Sequence, residues 1–166
     1  MLIGLAVADG PLGEWKFVKE LIKPEEKWEG YSIDMGPAVV SKDETTHFIF
    51  YNDVTWQRMS KLSHILKHHI LKRGYIIRRL GILKVIITPD LQVKIVRFEY
   101  NPLSFNGEKG TWNESVFCPE YLKFGNKHYL FPAASTYSCG YPYKQYIGLI
   151  EDISCSFQGP TYKGII

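Results

Sequence analysis

A chain of 166 residues, 45% hydrophobic and 22% charged, suits one domain with a buried core and is not a disordered composition. A net charge of +3 is too small to imply a polyanionic partner. The three cysteines, Cys118, Cys139 and Cys155, lack CxxC spacing, which argues against a disulfide framework or zinc site and for free thiols. No metal or cofactor is expected. The apolar start, MLIGLAV, has no basic flank and ends at Asp9, so neither a signal peptide nor a membrane span is expected. Free thiols weakly favour the cytoplasm and leave location open.

In chain order, apolar runs bounded by Gly, Pro and Asn read as short strands: Ile3 to Ala8, Ala38 to Val40 and Phe48 to Tyr51. Between Tyr51 and the next run the period changes. Trp56, Met59, Leu62, Leu66 and Ile70 recur at steps of three and four and predict an amphipathic helix over 56–72. Strand-like runs resume at Leu80 to Thr88, Val93 to Tyr100, Tyr121 to Leu122, Tyr129 to Phe131 and Tyr146 to Ile150. Strands at this density predict an all-β sandwich, barrel or propeller. The segment 54–89 is basic and has no acid, and Arg78-Arg79 follows the helix. Such a helix suits nucleic acid or an anionic surface, but only one face would be basic, so this is the weaker alternative.

Internal repetition narrows the choice. IGLAVADGPLGEWKFVKELI at the start parallels IGLIEDISCSFQGPTYKGII at the end. GPAVVSKDETTHFIFY (Gly36 to Tyr51) parallels CPEYLKFGNKHYLFP (Cys118 to Pro132): each has a Pro, a strand, a polar turn, a His and a second strand. Repeats of strand, turn and strand are what a propeller needs, because each blade buries its faces only against neighbouring blades. The reading is a partial β-propeller of about two and a half four-stranded blades with one inserted helix. Residues 1–22 would end one blade, 37–100 form the next and 116–166 a third, all in a single domain. Propellers close with about four to eight blades, so self-association or missing blades of a longer chain are expected.

PEYLKFGNKHYLFPAAST followed by YIGLIEDISCSFQGPTYKGII resembles a blade of the five-bladed glycoside hydrolases, family 43 most closely, with families 32 and 130 near it. IGLAVADGPLGEWKF is similar to the closing strand of such a blade, and IDMGPAVV with FIFY to the opening of the next. The resemblance spans most of the chain outside 52–77. It implies hydrolysis or phosphorolysis of a glycosidic bond, with an arabinose- or xylose-type oligosaccharide as the favoured substrate and no membrane partner.

Glycoside cleavage uses one carboxylic acid to protonate the leaving oxygen and a second carboxylate as base or nucleophile. In family 43 a third carboxylate tunes the acid. By resemblance Asp34 in IDMGP matches the tuning acid, and the next blade should supply the proton donor two residues before a Pro. That place is Phe117, and the nearest acids are Glu114, before the strand, and Glu120, after Pro119. The base belongs to a blade not present in these residues. Asp34, Glu114 and Glu120 are therefore the candidate catalytic residues, and Trp112 and Phe117 the candidate substrate contacts. Plainer roles stay open: a turn for Asp34, a solvated loop for Glu114 and core packing for Trp112. His47 and His128, at matching places in the repeats, suit blade packing, and Cys118 a small buried hydrophobe. The alternative function is a carbohydrate-binding or structural remnant without catalysis. GLAVADG is also similar to the LAGLIDADG motif of homing endonucleases, but Pro11 and Gly13 follow at once.

Overall fold

The computed structural model describes residues 3–29, 33–53, 77–136, 144–152 and 161–165. These residues form an all-β fold of three antiparallel sheets, none closed into a barrel. The expected helix over 56–72 lies outside the described residues. Among them no helix is long and apolar enough to cross a membrane.

The first sheet is a hairpin of β1 (Ile3–Val7) and β2 (Lys16–Ile22). A 3-10 turn (Lys27–Glu29) leads into the middle sheet of β3 (Ile33–Ser41), β4 (Thr46–Asp53), β5 (Leu80–Ile87) and β6 (Val93–Arg97). The last sheet holds β7 (Ser115–Phe124), β8 (Lys127–Ser135), β9 (Gln145–Asp152) and β10 (Thr161–Ile165). Each four-stranded sheet is a meander, paired in chain order from its first strand to its fourth.

Two cores hold the sheets together, and the strand period of two sorts residues between them. On β5, Leu80 and Ile82 point to a core shared with the last sheet, through Val116, Leu130 and Ile150. Leu83 and Val85 point the other way, to Ile3, Leu21 and Ile22 of the hairpin. β4 divides likewise, with Phe50 in the first cluster and Ile49 and Tyr51 in the second. The middle sheet is thus covered on both faces. Gly81 permits this closeness on β5, since a Cβ there would lie 2.6 Å from both Trp28 and Tyr51.

A buried polar knot ties the hairpin side to the middle sheet. Glu29 is fully buried; its Oε2 accepts the amides of Glu25 (2.7 Å) and Glu26 (2.9 Å), and its Oε1 accepts the Tyr51 hydroxyl (2.8 Å) and Arg97. Arg97 also donates to the Lys23 carbonyl at 2.8 Å. Burial alone would raise the Glu29 pKa, but the bonds from Arg97, the two amides and Tyr51 outweigh it and hold the pKa below its ordinary value.

The β3–β4 turn is held by Asp43, whose Oδ1 accepts the amides of Thr45 and Thr46 and the Thr45 hydroxyl. These bonds, the Thr45 amide first, bring its pKa from 3.8 down to about 2. Glu29 and Asp43 are both depressed in the folded state, so each contributes stability above its ordinary pKa that is lost on acidification. Urea unfolding midpoints are therefore expected to be level above pH 5 and to fall steadily from about pH 4.5 towards 2. Asp43→Asn should flatten the lower part of that fall, and a midpoint indifferent to pH in this window would refute both assignments.

The two meanders repeat a detail at their first strands. Between Met35 and Val39, β3 carries more residues than the facing stretch of β4, and between Phe117 and Glu120, β7 does the same against β8. Both are β-bulges, and each contains a proline, Pro37 or Pro119, at a place where a ladder amide is not needed. The histidines also correspond: His47 Nδ1 bonds the Ser41 hydroxyl at 2.9 Å and His128 Nδ1 the Tyr121 hydroxyl at 2.7 Å. In each case the second strand's His is tied to the first strand.

Candidate functional site

The polar residues gather at the end of the sheets where β3 and β7 begin, β4 and β8 finish and β5 begins. Strands β3 and β7 run side by side there. Asp34, second residue of β3, faces Asn52 across the ladder and is half-buried. Asn52 is fully buried, and its Oδ1 accepts the amide of Cys118 at 3.3 Å, joining the middle sheet to the last.

Cys118 sits in the bulge of β7 with φ 44°, a left-handed backbone unusual for a residue with a Cβ. The expectation of a buried Cys118 is corrected: the bulge turns the residue outward, and it is exposed. Partial desolvation of its thiol still pushes the pKa up; the Arg78 charge works against that rise and the Asp34 charge adds to it. Asp34, Cys118 and Arg78 thus share one electrostatic neighbourhood.

Arg78 fixes the other side of this neighbourhood. Its amide donates to Ser115 Oγ at 2.8 Å, and its carbonyl accepts the Val116 amide at 3.0 Å. Its guanidinium lies over the Phe117 ring, 4.8 Å from the centroid, a cation–π contact. Arg79 is pinned beside it, its amide donating to Asp53 Oδ1.

The expected site residues separate into two groups. Asp34 and Phe117 stand at the junction of β3 and β7. Glu114 is buried just before β7, where its Oε2 accepts the Gly110 amide at 3.1 Å and closes the turn over 107–114. Trp112 packs on β9: a Cβ on Gly148 would lie 2.9 Å from its ring, and Tyr146 meets it edge-on at 6.4 Å. Glu120 lies beyond the bulge, exposed, opposite Phe131. Among the described residues, no three His, Cys, Asp or Glu side chains converge as a metal site.

Asn52 is not among the residues singled out from the sequence, and Arg78 enters there only with Arg79 in the basic stretch of the weaker alternative. Both border the segment set aside as an insertion, and a single Asn ending an apolar strand reads as a turn former. No protein-family model matches the chain, and a search of curated proteins finds no relative.

Proposed function

We propose that this chain is part of a glycoside hydrolase-type propeller that recognises an oligosaccharide at the junction of β3 and β7, arabinose- or xylose-type sugars being favoured. The observation that carries this reading is the side-by-side course of two proline-bulged first strands, which puts Asp34 and Arg78 both within electrostatic reach of Cys118, with Arg78 over Phe117. Further support comes from the two meanders packed face to face, as blades pack around an axis. A half-buried aromatic ring beside a carboxylate and a guanidinium offers a sugar both a stacking face and hydrogen-bonding groups. The far end of β7, away from Phe117, supports a further blade or a second copy against it, since Leu122 and Phe124 are 49% and 74% exposed there.

The experiment is release of p-nitrophenol from arabinofuranosides and xylosides. Turnover is expected to fall at least about a hundredfold in Asp34→Ala, the scale of one general acid–base contribution. Equal turnover in the variant removes Asp34 from the chemistry. A second reading, binding without cleavage, is favoured by one observation: Glu114, the nearest acid before β7, is committed to its own turn. Sugar binding with no turnover in the native chain selects that reading.

A further inference from the structure

Three buried polar atoms have no hydrogen-bond partner among the described residues: Arg78 Nε, Ser135 Oγ and Thr136 Oγ1. Ser135 is fully buried and Thr136 is 4% exposed. Buried polar groups are nearly always paired, and leaving one unpaired costs its desolvation, so such a group points to a partner of another kind.

Strand register places two of these groups, Arg78 and Ser135, on one side of β7 and β8. Ser115 lies opposite Ser135, and Phe117 opposite Ala133. Residues two apart on a strand, and those directly opposite, share a face. The face with Ser115 and Phe117 therefore also carries Ser135. Arg78 reaches the same face, with its amide on Ser115 and its guanidinium over Phe117. Thr136, the next residue along the ladder, turns to the other face and is not part of this cluster. Arg78 and Phe117 are half-exposed, which leaves a way in.

We infer that this cluster holds the carboxylate of an acidic sugar, a uronate residue of the bound saccharide. The inference rests on the carbohydrate reading and deepens it. A guanidinium whose Nε is unpaired presents the edge that takes a carboxylate in two parallel hydrogen bonds, and a neighbouring hydroxyl completes the shell. The charge favours a monoanion over a phosphate dianion, because Arg78 is the cation over this face while the Asp34 carboxylate stands in the same neighbourhood. Phe117 lies under the guanidinium, where the ring of the same sugar finds an apolar surface.

The test measures binding of D-glucuronate, D-galacturonate, the matching neutral sugars and inorganic phosphate to the full chain, by calorimetry or NMR titration. A uronate is expected to bind at least about tenfold more tightly than its neutral counterpart, the scale of one charge-assisted bond, and Arg78→Gln should erase the difference. Ser135→Ala separates a ligand role from a structural one. Removing an unpaired hydroxyl should leave thermal stability unchanged or raised while weakening uronate binding several-fold. That variant carries the test should Arg78→Gln fail to fold. Phosphate binding as tightly as uronate, neutral sugars binding equally, or no ligand binding at all overturns the inference. Neutral arabino- or xylo-oligosaccharides binding without any uronate advantage would leave the carbohydrate reading standing and sink this one. Free uronate binding with no glycoside bound or cleaved would do the reverse.

Discussion

Replacing Glu29 by Ala is expected to lower the unfolding free energy by about 3 kcal/mol, read from urea denaturation at pH 7. The carboxylate serves four donors at once: the amides of Glu25 and Glu26, the Tyr51 hydroxyl and Arg97. Removing it strands a hydroxyl in a fully buried position and a cation that is 23% exposed. Breaking a buried pair costs about 3–5 kcal/mol, and the lower end applies because Arg97 keeps some contact with water. Burial, with the nearby Glu29 charge adding to it, holds the Tyr51 hydroxyl far above its ordinary pKa, so in the native protein it is a neutral donor to the carboxylate. Glu29→Gln retains one acceptor and should lose less. A loss under about 1 kcal/mol for Ala would mean that the knot is a surface feature, worth no more than an exposed ion pair.

Phe105→Ala is expected to cost about 3–5 kcal/mol, as for other aromatic residues cut out of a core. Phe105 belongs to the connection between β6 and β7 rather than to a strand, yet it is fully buried in the cluster that joins the middle and last sheets. Its carbonyl is held by Asn113 Nδ2 at 2.9 Å, and Leu103 beside it is anchored by its amide on the Leu80 carbonyl at 2.8 Å. The side chain is therefore a plug held in place from both ends, with little freedom to let its surroundings collapse into the vacated space. Leu12→Ala, at a fully exposed leucine, is the control and should leave stability unchanged. An equally small effect at Phe105 would mean that the connection can leave the core without loosening the sheets.

Most strands were legible because their apolar runs are buried on both faces, as on β5, where Leu80 to Val85 is nearly all core. β2 was not. Its Lys16, Lys19 and Glu20 face solvent, and only Leu21 and Ile22 are buried, so charged residues hide its period. β7 was read too short for a related reason: the bulge at Cys118 and Pro119 breaks the alternation that would have joined Val116 to Tyr121. Asp34 and Phe117 are candidates on motif order alone. The join between the two sheets was hidden, because the bond from the Cys118 amide to Asn52 Oδ1 links residues 66 positions apart, a contact that no local pattern encodes. Glu114 looked like a loop acid and is one, but buried, because its turn folds back on its carboxylate.

The middle sheet has a consequence for how this protein can change. Ile49 and Phe50 are neighbours in the chain, yet they answer to different sheets, one to the hairpin and one to the meander that follows. A strand so placed is a party wall. Either side can be remodelled without the tenant on the other side being disturbed, provided the ladder between them keeps its register. Variation along β4 and β5 therefore runs in two independent channels, odd positions drifting with one neighbour and even positions with the other.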